Sequence, residues 1–178
     1  INVGKESTEL FSYDVSNHWY PENALKITRR IAEELNSNFG FSFHLADFDS
    51  ASYVDCLEDY PQIRDQIQTN CGYSYSYPVP KQQHQYTVTH AEQEKWTGAF
   101  IDAISRPVEQ WNTAEIAYHN SYRLNNALMY EIENHTARTN QDRTILVIGD
   151  SFDWPICAYL AGGVGRLIII NNETFTGS

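Results

Sequence analysis

The amino-acid sequence predicts an α/β fold, arranged as a three-layer α/β/α sandwich around a short, mainly parallel sheet. Residues 144–148 are a continuous apolar run, typical of a strand buried on both faces of a parallel sheet. Pro155 follows soon afterwards, and because proline is tolerated in the first turn of a helix, residues 153–162 are a predicted helix. A second apolar strand at residues 166–170 completes a βαβ unit, whose crossover is almost always right-handed.

The clearest single element is a helix predicted over residues 21–39. Its apolar side chains recur at helical spacing, Pro21 and Glu22 suit the first turn, and Gly40 follows the last apolar residue. Short segments that alternate or are rich in β-forming side chains predict three more strands, at residues 9–15, 41–46 and 86–89. Apolar residues near helical spacing predict two more helices, at residues 91–104 and 113–133.

Residues 47–86 show no regular pattern and are predicted to be an irregular, Tyr-rich insertion within one domain of residues 1–178. Near its end Tyr73, Tyr75 and Tyr77 alternate with serine, which places the three rings on one side of an extended segment. Such a segment is either an edge strand that packs its aromatic face or a platform that faces a glycan.

Composition and charge narrow the range of partners. Hydrophobic residues make up 42% and aromatic residues 13% of the 178, as expected for one globular domain with its own core. The twelve tyrosines and four tryptophans also suit surfaces that stack on sugars. The net charge of −11 argues against nucleic acid and anionic membrane surfaces, and no apolar run approaches the roughly 18 residues of a membrane span.

Several features favour an extracellular, periplasmic or cell-surface location. The chain is poor in lysine, and Asn134 and Asn172 each match the acceptor pattern for N-glycosylation. Cys56 and Cys71 flank a polar loop and are candidates for a small disulfide, whereas Cys157 is predicted to be a buried free thiol. The sequence begins without an initiator methionine or a leader, and we interpret it as a mature or excised segment.

The turn after the strand at 144–148 carries the candidate nucleophile. Gly149, Asp150 and Ser151 end that strand, and side chains in such a turn lie at the carboxyl edge of the sheet, where open α/β sheets bind their ligands. Ser151 then exposes a hydroxyl, and its backbone N–H stands near a helix N-terminus that favours a developing oxyanion. The alternative is a plain βα turn, because these residue types suit turns and N-caps.

A serine hydroxyl needs a base to take its proton, and histidine is the usual one because its pKa lies near neutrality. His18 is the preferred candidate, since it lies with Trp19 in the loop that leads into the helix at 21–39. A strand-to-helix junction of this kind matches the position of Ser151, so both side chains are expected at one edge. The other histidines are His44, His84, His90, His119 and His135.

A metal site is a weaker alternative. It would combine His84 and His90 with nearby acidic residues. Zinc sites have characteristic His and Cys spacings, and the sequence contains none of them. We therefore predict neither a metal nor another cofactor.

Gly149-Asp150-Ser151-Phe152 resembles the nucleophile block of the SGNH (GDSL-type) hydrolases. His18-Trp19, followed by Pro-Glu-x-Ala, is similar to the alginate O-acetyltransferase-like SGNH proteins and the related DHHW family, in which the histidine also precedes the serine. The resemblance covers residues 16–35 and 143–171. It implies a flavodoxin-like SGNH sandwich, and because those relatives continue beyond the last strand, a trimmed or reduced version of that fold.

The resemblance also implies a function: a serine-dependent carbohydrate O-acyl (acetyl) esterase or O-acetyltransferase that acts on an extracellular or cell-surface polysaccharide. Ser151 would attack the ester carbonyl while His18 takes its proton. Gly149, Asp150, the Ser151 N–H and Trp19 are the residues it assigns to the oxyanion and substrate site.

One position departs from the family pattern. Those families carry an aspartate two residues before the histidine, and this chain has Ser16 there, so Asp14 is the candidate for the orienting acid. Without such an acid the imidazole presents the wrong tautomer, which lowers kcat by about 10⁴ in a serine protease. The alternative function is therefore a non-catalytic carbohydrate-binding or assembly module. The second oxyanion donor is left open among Asn112, Asn120 and Asn125.

Overall fold

The computed structural model describes residues 21–71, 76–90, 94–106, 108, 123–124, 128–150 and 152–172, without the side chains of Asn70 and Cys71. The larger of the two sheets has five strands. Its strands are β3 Tyr86–His90, β4 Lys95–Gly98, β5 Met129–Asn134, β6 Thr144–Gly149 and β7 Arg166–Asn171, in the order β4–β3–β5–β7–β6. A separate two-stranded sheet pairs β1 Tyr53–Asp55 with β2 Pro78–Pro80.

The α/β class is confirmed, but the expectation of a mainly parallel sheet is wrong. The β3–β4, β3–β5 and β5–β7 pairs are antiparallel, and β6–β7 is the parallel pair among the described strands. It is the pair that the predicted βαβ unit joins, so that unit is confirmed. Consequently β3, β6 and β7 run in one direction. Their last residues define what we call the carboxyl edge of the sheet, and their first residues define the amino edge.

Three α-helices are described: α1 Pro21–Phe39, α2 Pro61–Cys71 and α3 Asp153–Leu160. The predicted helices at 21–39 and 153–162 are confirmed, and α1 ends where Gly40 takes a positive φ of 68°, which glycine adopts without a steric penalty. α2 lies in residues 47–86, where the sequence predicts no helix. None of the described helices is long and apolar enough to cross a bilayer.

The strand predicted at residues 41–46 is absent; the segment leads instead into a 3₁₀ turn, Leu45–Phe48. The reason is a side chain at the end of α1. Asn36 donates from Nδ2 to the Phe43 carbonyl at 2.9 Å and accepts the Phe43 N–H on Oδ1 at 2.6 Å. This pair of hydrogen bonds gives the Phe43 backbone the partners that a neighbouring strand would otherwise supply.

Two predicted helices are also wrong where the structure describes them. Residues 91–104 contain β4 and a π-helical turn, Phe100–Ile104, and residues 129–133 belong to β5 rather than to a helix at 113–133. The apolar residues of the second segment recur every four positions, and an even spacing also keeps side chains on one face of a strand. The rest of the 113–133 prediction, and the strand predicted at 9–15, lie outside the described residues.

The core lies between the sheet and the two helices α1 and α3. α3 is buried from Trp154 to Leu160, and α1 buries the stripe that contains Ala24, Leu25 and Ala32. The opposite face of β6 is open: Leu146 and Ile148 are 55% and 63% exposed, which corrects the expectation of a strand buried on both faces.

Smaller expectations concern the cysteines and the two candidate glycosylation acceptors. Cys157 is a fully buried free thiol, as predicted. Cys56 is a free thiol too, so the predicted disulfide between Cys56 and Cys71 is not formed. Asn134 is 1% exposed and donates to the carbonyls of Ala161 and Gly162, which makes it a structural residue and not an acceptor for glycosylation. Exposed Asn172 keeps that prediction open.

The Tyr-rich stretch is described at one of its three tyrosines. Tyr77 is fully buried, and its hydroxyl lies 3.1 Å from Ser105 Oγ. Its ring therefore packs into the core, as expected for a segment that packs its aromatic face and not for a platform that faces a glycan. Tyr73 and Tyr75 lie outside the described residues.

Candidate functional site

The turn between β6 and α3 is fixed by hydrogen bonds to Asp150. Its carboxylate Oδ1 accepts the Phe152 N–H at 3.0 Å, and its carbonyl accepts the Asp153 N–H at 3.1 Å. This is the local bonding by which aspartate favours turns. The amides of Phe152 and Asp153 are therefore engaged within the turn. The residue between Asp150 and Phe152, Ser151, lies outside the described residues.

The carboxyl group of Asp153 packs directly on Gly149. A Cβ atom added to Gly149 would overlap Asp153 Oδ2 and lie 2.6 Å from Asp153 Cγ. Gly149 is also the last paired residue of β6, opposite Asn171 of β7. The glycine is thus required by the close approach of the first turn of α3 to the end of the strand.

Burial raises the pKa of Asp153 above its usual value of 3.8, and the nearby charge of Asp150 raises it further. The folded protein therefore holds this proton at a pH where the unfolded chain has lost it. By linkage, stability should fall as the pH rises from 3.8 through the raised value of the folded state, and the loss should persist at neutral pH.

We expect Asp153→Asn to remove this pH-dependent loss of stability, because an amide does not ionise. Thermal unfolding of the variant and the wild type would be compared between pH 3 and pH 8 (about the range in which carboxyl groups titrate). The advantage of the variant should grow with pH across that window. A difference that is constant with pH would contradict the raised pKa. Asp150→Asn is not a suitable control, because Asp150 holds the turn. Asp142→Asn is a suitable control, because Asp142 is exposed.

The carboxyl end of α1 lies at the amino edge of the sheet. Arg143, the residue before β6, donates from Nη2 to the Gly40 carbonyl at 3.3 Å, and its guanidinium lies 5.5 Å from the centre of the Phe41 ring. The Ser42 N–H donates to Asn140 Oδ1 at 2.8 Å. Contacts from Arg143 and Asn140 therefore fix the segment after α1 beside the start of β6.

α1 consequently runs back along the sheet toward the carboxyl edge. Its nineteen residues span about 28 Å, whereas the six residues of β6 span about 20 Å. Midway, the Thr28 hydroxyl lies 3.4 Å from the Ile156 carbonyl, one turn into α3. Pro21 is a further seven residues up the helix, about 10 Å. The start of α1 therefore reaches the edge that carries the Gly149–Asp150 turn.

A partly buried carboxylate stands at this start of α1. Burial raises the pKa of Glu22, although hydrogen bonds from backbone N–H groups, including that of Ser76, act in the opposite direction. Its Oε2 atom is buried and has no hydrogen-bond partner within the described part of the chain. The carboxyl edge thus holds two acids, Glu22 and Asp153, that both favour the protonated form more than usual.

The predicted site residues divide into two groups. Gly149 and Asp150 are described and share the turn; the others lie outside the described residues, namely Ser151, His18, Trp19 and Asp14. Glu22 and Asp153 are the edge residues that sequence reasoning missed. Each stands in the first turn of a helix, where an acid is ordinarily explained by the helix dipole, so the sequence gives no signal that either is buried.

The described residues do not form the metal site considered as an alternative. They contain no group of three or more His, Cys, Asp or Glu side chains able to hold an ion. His84 precedes β3 and its Nδ1 lies 3.3 Å from Thr136 Oγ1, whereas His90 ends β3 with its ring 5.2 Å from that of Tyr130. The five residues of β3, about 16 Å of strand, run from a point beyond His84 to His90, so the two imidazoles do not converge.

The sequence matches no family model and no curated protein, but its mixed α/β fold is similar to solved structures. Bacillus cereus PatB1 with a sulfonyl adduct has a TM-score of 0.60 at 16% identity, covering 97% of this chain and 54% of that one. A second PatB1 structure gives 0.58 at 16% identity, covering 97% and 57%. A DHHW family protein from Eubacterium siraeum gives 0.59 at 12%, covering 93% and 52%.

The chain therefore spans about half the length of these structures. At such identities the likeness concerns the fold. It agrees with the DHHW resemblance seen in the motifs, because a DHHW family protein and PatB1 share the fold over nearly all of this chain.

Proposed function

We propose that this protein is a serine-dependent carbohydrate O-acyl esterase or O-acetyltransferase of the SGNH type. The observation that carries the proposal is the shared edge: α1 begins, and the Gly149–Asp150 turn ends β6, at the carboxyl edge of the sheet. His18 is three residues before α1 and Ser151 directly follows Asp150. Three residues of chain reach about 10 Å, which is enough for an imidazole to approach the serine.

In the proposed reaction, His18 takes the proton of the Ser151 hydroxyl as its oxygen attacks the ester carbonyl. The Ser151 N–H stabilises the oxyanion, and because the Phe152 and Asp153 amides are engaged by Asp150, further donors must come from outside this turn. The alcohol leaves with the proton from His18. Water then releases the acid in an esterase, or a sugar hydroxyl accepts the acyl group in a transferase.

The substrate assignment rests on resemblance to O-acetyltransferase-like proteins and on the aromatic content of the chain. An acylated polysaccharide outside the cytoplasm agrees with the resemblance and with the aromatic content. The strongly negative net charge of the chain, in turn, disfavours nucleic acid as a partner. Trp19, next to the proposed base, is the side chain we assign to contact with the sugar.

A covalent probe tests the nucleophile. The PatB1 structure carries a sulfonyl adduct, and sulfonyl fluorides form such adducts with activated hydroxyl groups. We expect a sulfonyl fluoride to modify the wild type at Ser151, as located by mass spectrometry of its peptides. Ser151→Ala should abolish the label and His18→Ala should slow it strongly. Ser37→Ala, which removes an exposed hydroxyl on α1, should not change it.

Ser16 in the place of the family aspartate favours the second candidate, a non-catalytic carbohydrate-binding or assembly module. Such a module would keep the fold and bind an acylated glycan without reacting. Full occupancy of the chain by a glycan, together with no sulfonyl label at Ser151, is the result that supports it over the enzyme.

A further inference from the structure

A cavity of about 260 Å³ opens at the amino edge of the sheet, away from the Gly149–Asp150 turn. It lies between the 3₁₀ turns Leu45–Phe48 and Ser50–Ser52 on one side and the end of α3 on the other. Tyr86, at the start of β3, and Gly162, just before β7, form part of its wall. We call it the amino-edge pocket. The length of β6, about 20 Å, separates it from the proposed catalytic turn.

The pocket contains a buried hydroxyl without a partner. Tyr86 is 1% exposed, and its Oη has no hydrogen-bond partner among the described residues. Burial raises the pKa of this phenol, so it remains protonated and able to donate. Buried hydroxyl groups nearly always have a partner, and one that lines a cavity can obtain it from a bound molecule.

Other polar groups surround Tyr86 in the same cavity. The Tyr53 phenol is close enough to affect the Tyr86 pKa, and Asp47 affects both Tyr53 and His84. His84 is 6% exposed, and burial lowers its pKa, so the ring is neutral at physiological pH. Its Nδ1 contacts Thr136 Oγ1 at 3.3 Å. The available partners for a ligand are thus two phenols and an imidazole, all uncharged.

The charged groups of the pocket already have partners. Lys81 Nζ donates to the Ala51 carbonyl at 2.8 Å, and Asp47 Oδ1 lies 3.2 Å from His44 Nδ1. The wall also contains aromatic rings: those of Tyr53 and Tyr159 lie edge to face at 5.6 Å, and Phe48 lines the same cavity. A charged ligand would disturb these pairs, whereas a neutral ring with hydroxyl groups would not.

We infer that the amino-edge pocket is a binding site for one neutral, polyhydroxylated ring, the size of a single sugar residue. Its volume is close to the lower limit of about 300 Å³ for ligand pockets, which excludes a longer oligosaccharide from full enclosure. In the bound state a ring hydroxyl accepts from Tyr86 Oη, others contact Tyr53 and His84, and the C–H face of the ring packs on the aromatic wall. The site does not depend on Ser151.

The test uses the whole chain and neutral monosaccharides as probes: glucose, mannose and N-acetylglucosamine. Ring-proton NMR signals of the histidines locate the binding, because His84 lines the pocket and His90 lies at the other end of β3. We expect saturable shifts of His84 but not of His90. Tyr86→Phe should weaken the affinity at least about tenfold, the effect expected when one buried hydrogen bond is lost. Tyr130→Phe, a buried tyrosine at the carboxyl edge, should leave it unchanged.

Three results would overturn the inference. One is the absence of saturable His84 shifts up to about 10 mM sugar. Another is equal affinity in Tyr86→Phe and the wild type. The third is preferential binding of acetate or tetramethylammonium, which would assign the pocket to an ion. Since Ser151→Ala should bind the sugar at this pocket like the wild type, failure here is distinguishable from failure of the proposed enzyme activity.

Discussion

Ser151→Ala is expected to abolish hydrolysis of a generic acetyl ester, with a fall in kcat of about 10³-fold or more. The reason is that Ser151 is the residue that forms the acyl intermediate in the proposed mechanism. Initial rates on 4-nitrophenyl acetate, corrected for the uncatalysed reaction, give the measurement. Thermal unfolding of the variant should match the wild type, because a hydroxyl is removed from a turn that Asp150 holds.

The proposed role of His18 as the base predicts a kinetic pattern of its own. His18→Ala should lower kcat about as much as Ser151→Ala, and the double variant should be no worse than either, since the two groups act as one unit. His90→Ala is the matched control, because this imidazole ends β3 at the same edge of the sheet. Full activity of Ser151→Ala would remove the serine mechanism; losses that multiply in the double variant would mean that the two residues act separately.

The orienting acid is tested separately at Asp14. If this residue holds the imidazole in the required tautomer, Asp14→Asn should cost about 10⁴-fold in kcat with little change in KM. An unchanged kcat would transfer the role to another acid. Glu22 and Asp153 are then the next to test, because both are partly buried at this edge of the sheet.

The elements predicted correctly are those whose ends carry local signals. α1 has Pro21 at its start and Gly40 at its end, and the chain follows those signals residue by residue. β5 could not be predicted because the spacing of four residues along the segment at 113–133, which includes Ile132, fits a helix and a strand alike, and pairing with β3 and β7 decides the outcome. The strand predicted at residues 41–46 does not form because the Asn36 side chain bonds to the Phe43 backbone. Hydrophobic periodicity in the sequence does not reveal such a contact.

For the candidate site, the sequence locates the turn but not its packing. Gly149 is the last residue of β6 and Asp150 directly follows the strand. What the sequence lacks is the direction of α1 relative to β6, which depends on contacts between residues about one hundred positions apart, such as Arg143 with Gly40. It also gives no reason to connect Gly149 with Asp153, because the glycine is equally well explained by the turn itself.

Gly149→Ala should destabilise the protein strongly, by about 3 kcal/mol or more, the upper end of the range for forced overpacking. The added methyl group would occupy the position of the Asp153 carboxyl, so either that side chain or the first turn of α3 must move. For a chain of this length, thermal unfolding should shift down by roughly 6–12 °C. Any activity should fall as well, because the displaced turn carries Ser151.

The cause of that loss can be isolated with a second substitution. The atoms that obstruct a Cβ on Gly149 belong to the Asp153 carboxyl group, whereas Asp153 Cβ lies 3.4 Å away, a tolerable contact. Asp153→Ala should therefore recover much of the stability lost in Gly149→Ala, a coupling of about 0.5–3 kcal/mol between neighbouring residues. Glu34→Ala, on exposed α1 surface, should recover none. Additive losses in the Gly149→Ala/Asp153→Ala variant would instead mean that the glycine is required by the backbone of the turn, independently of α3.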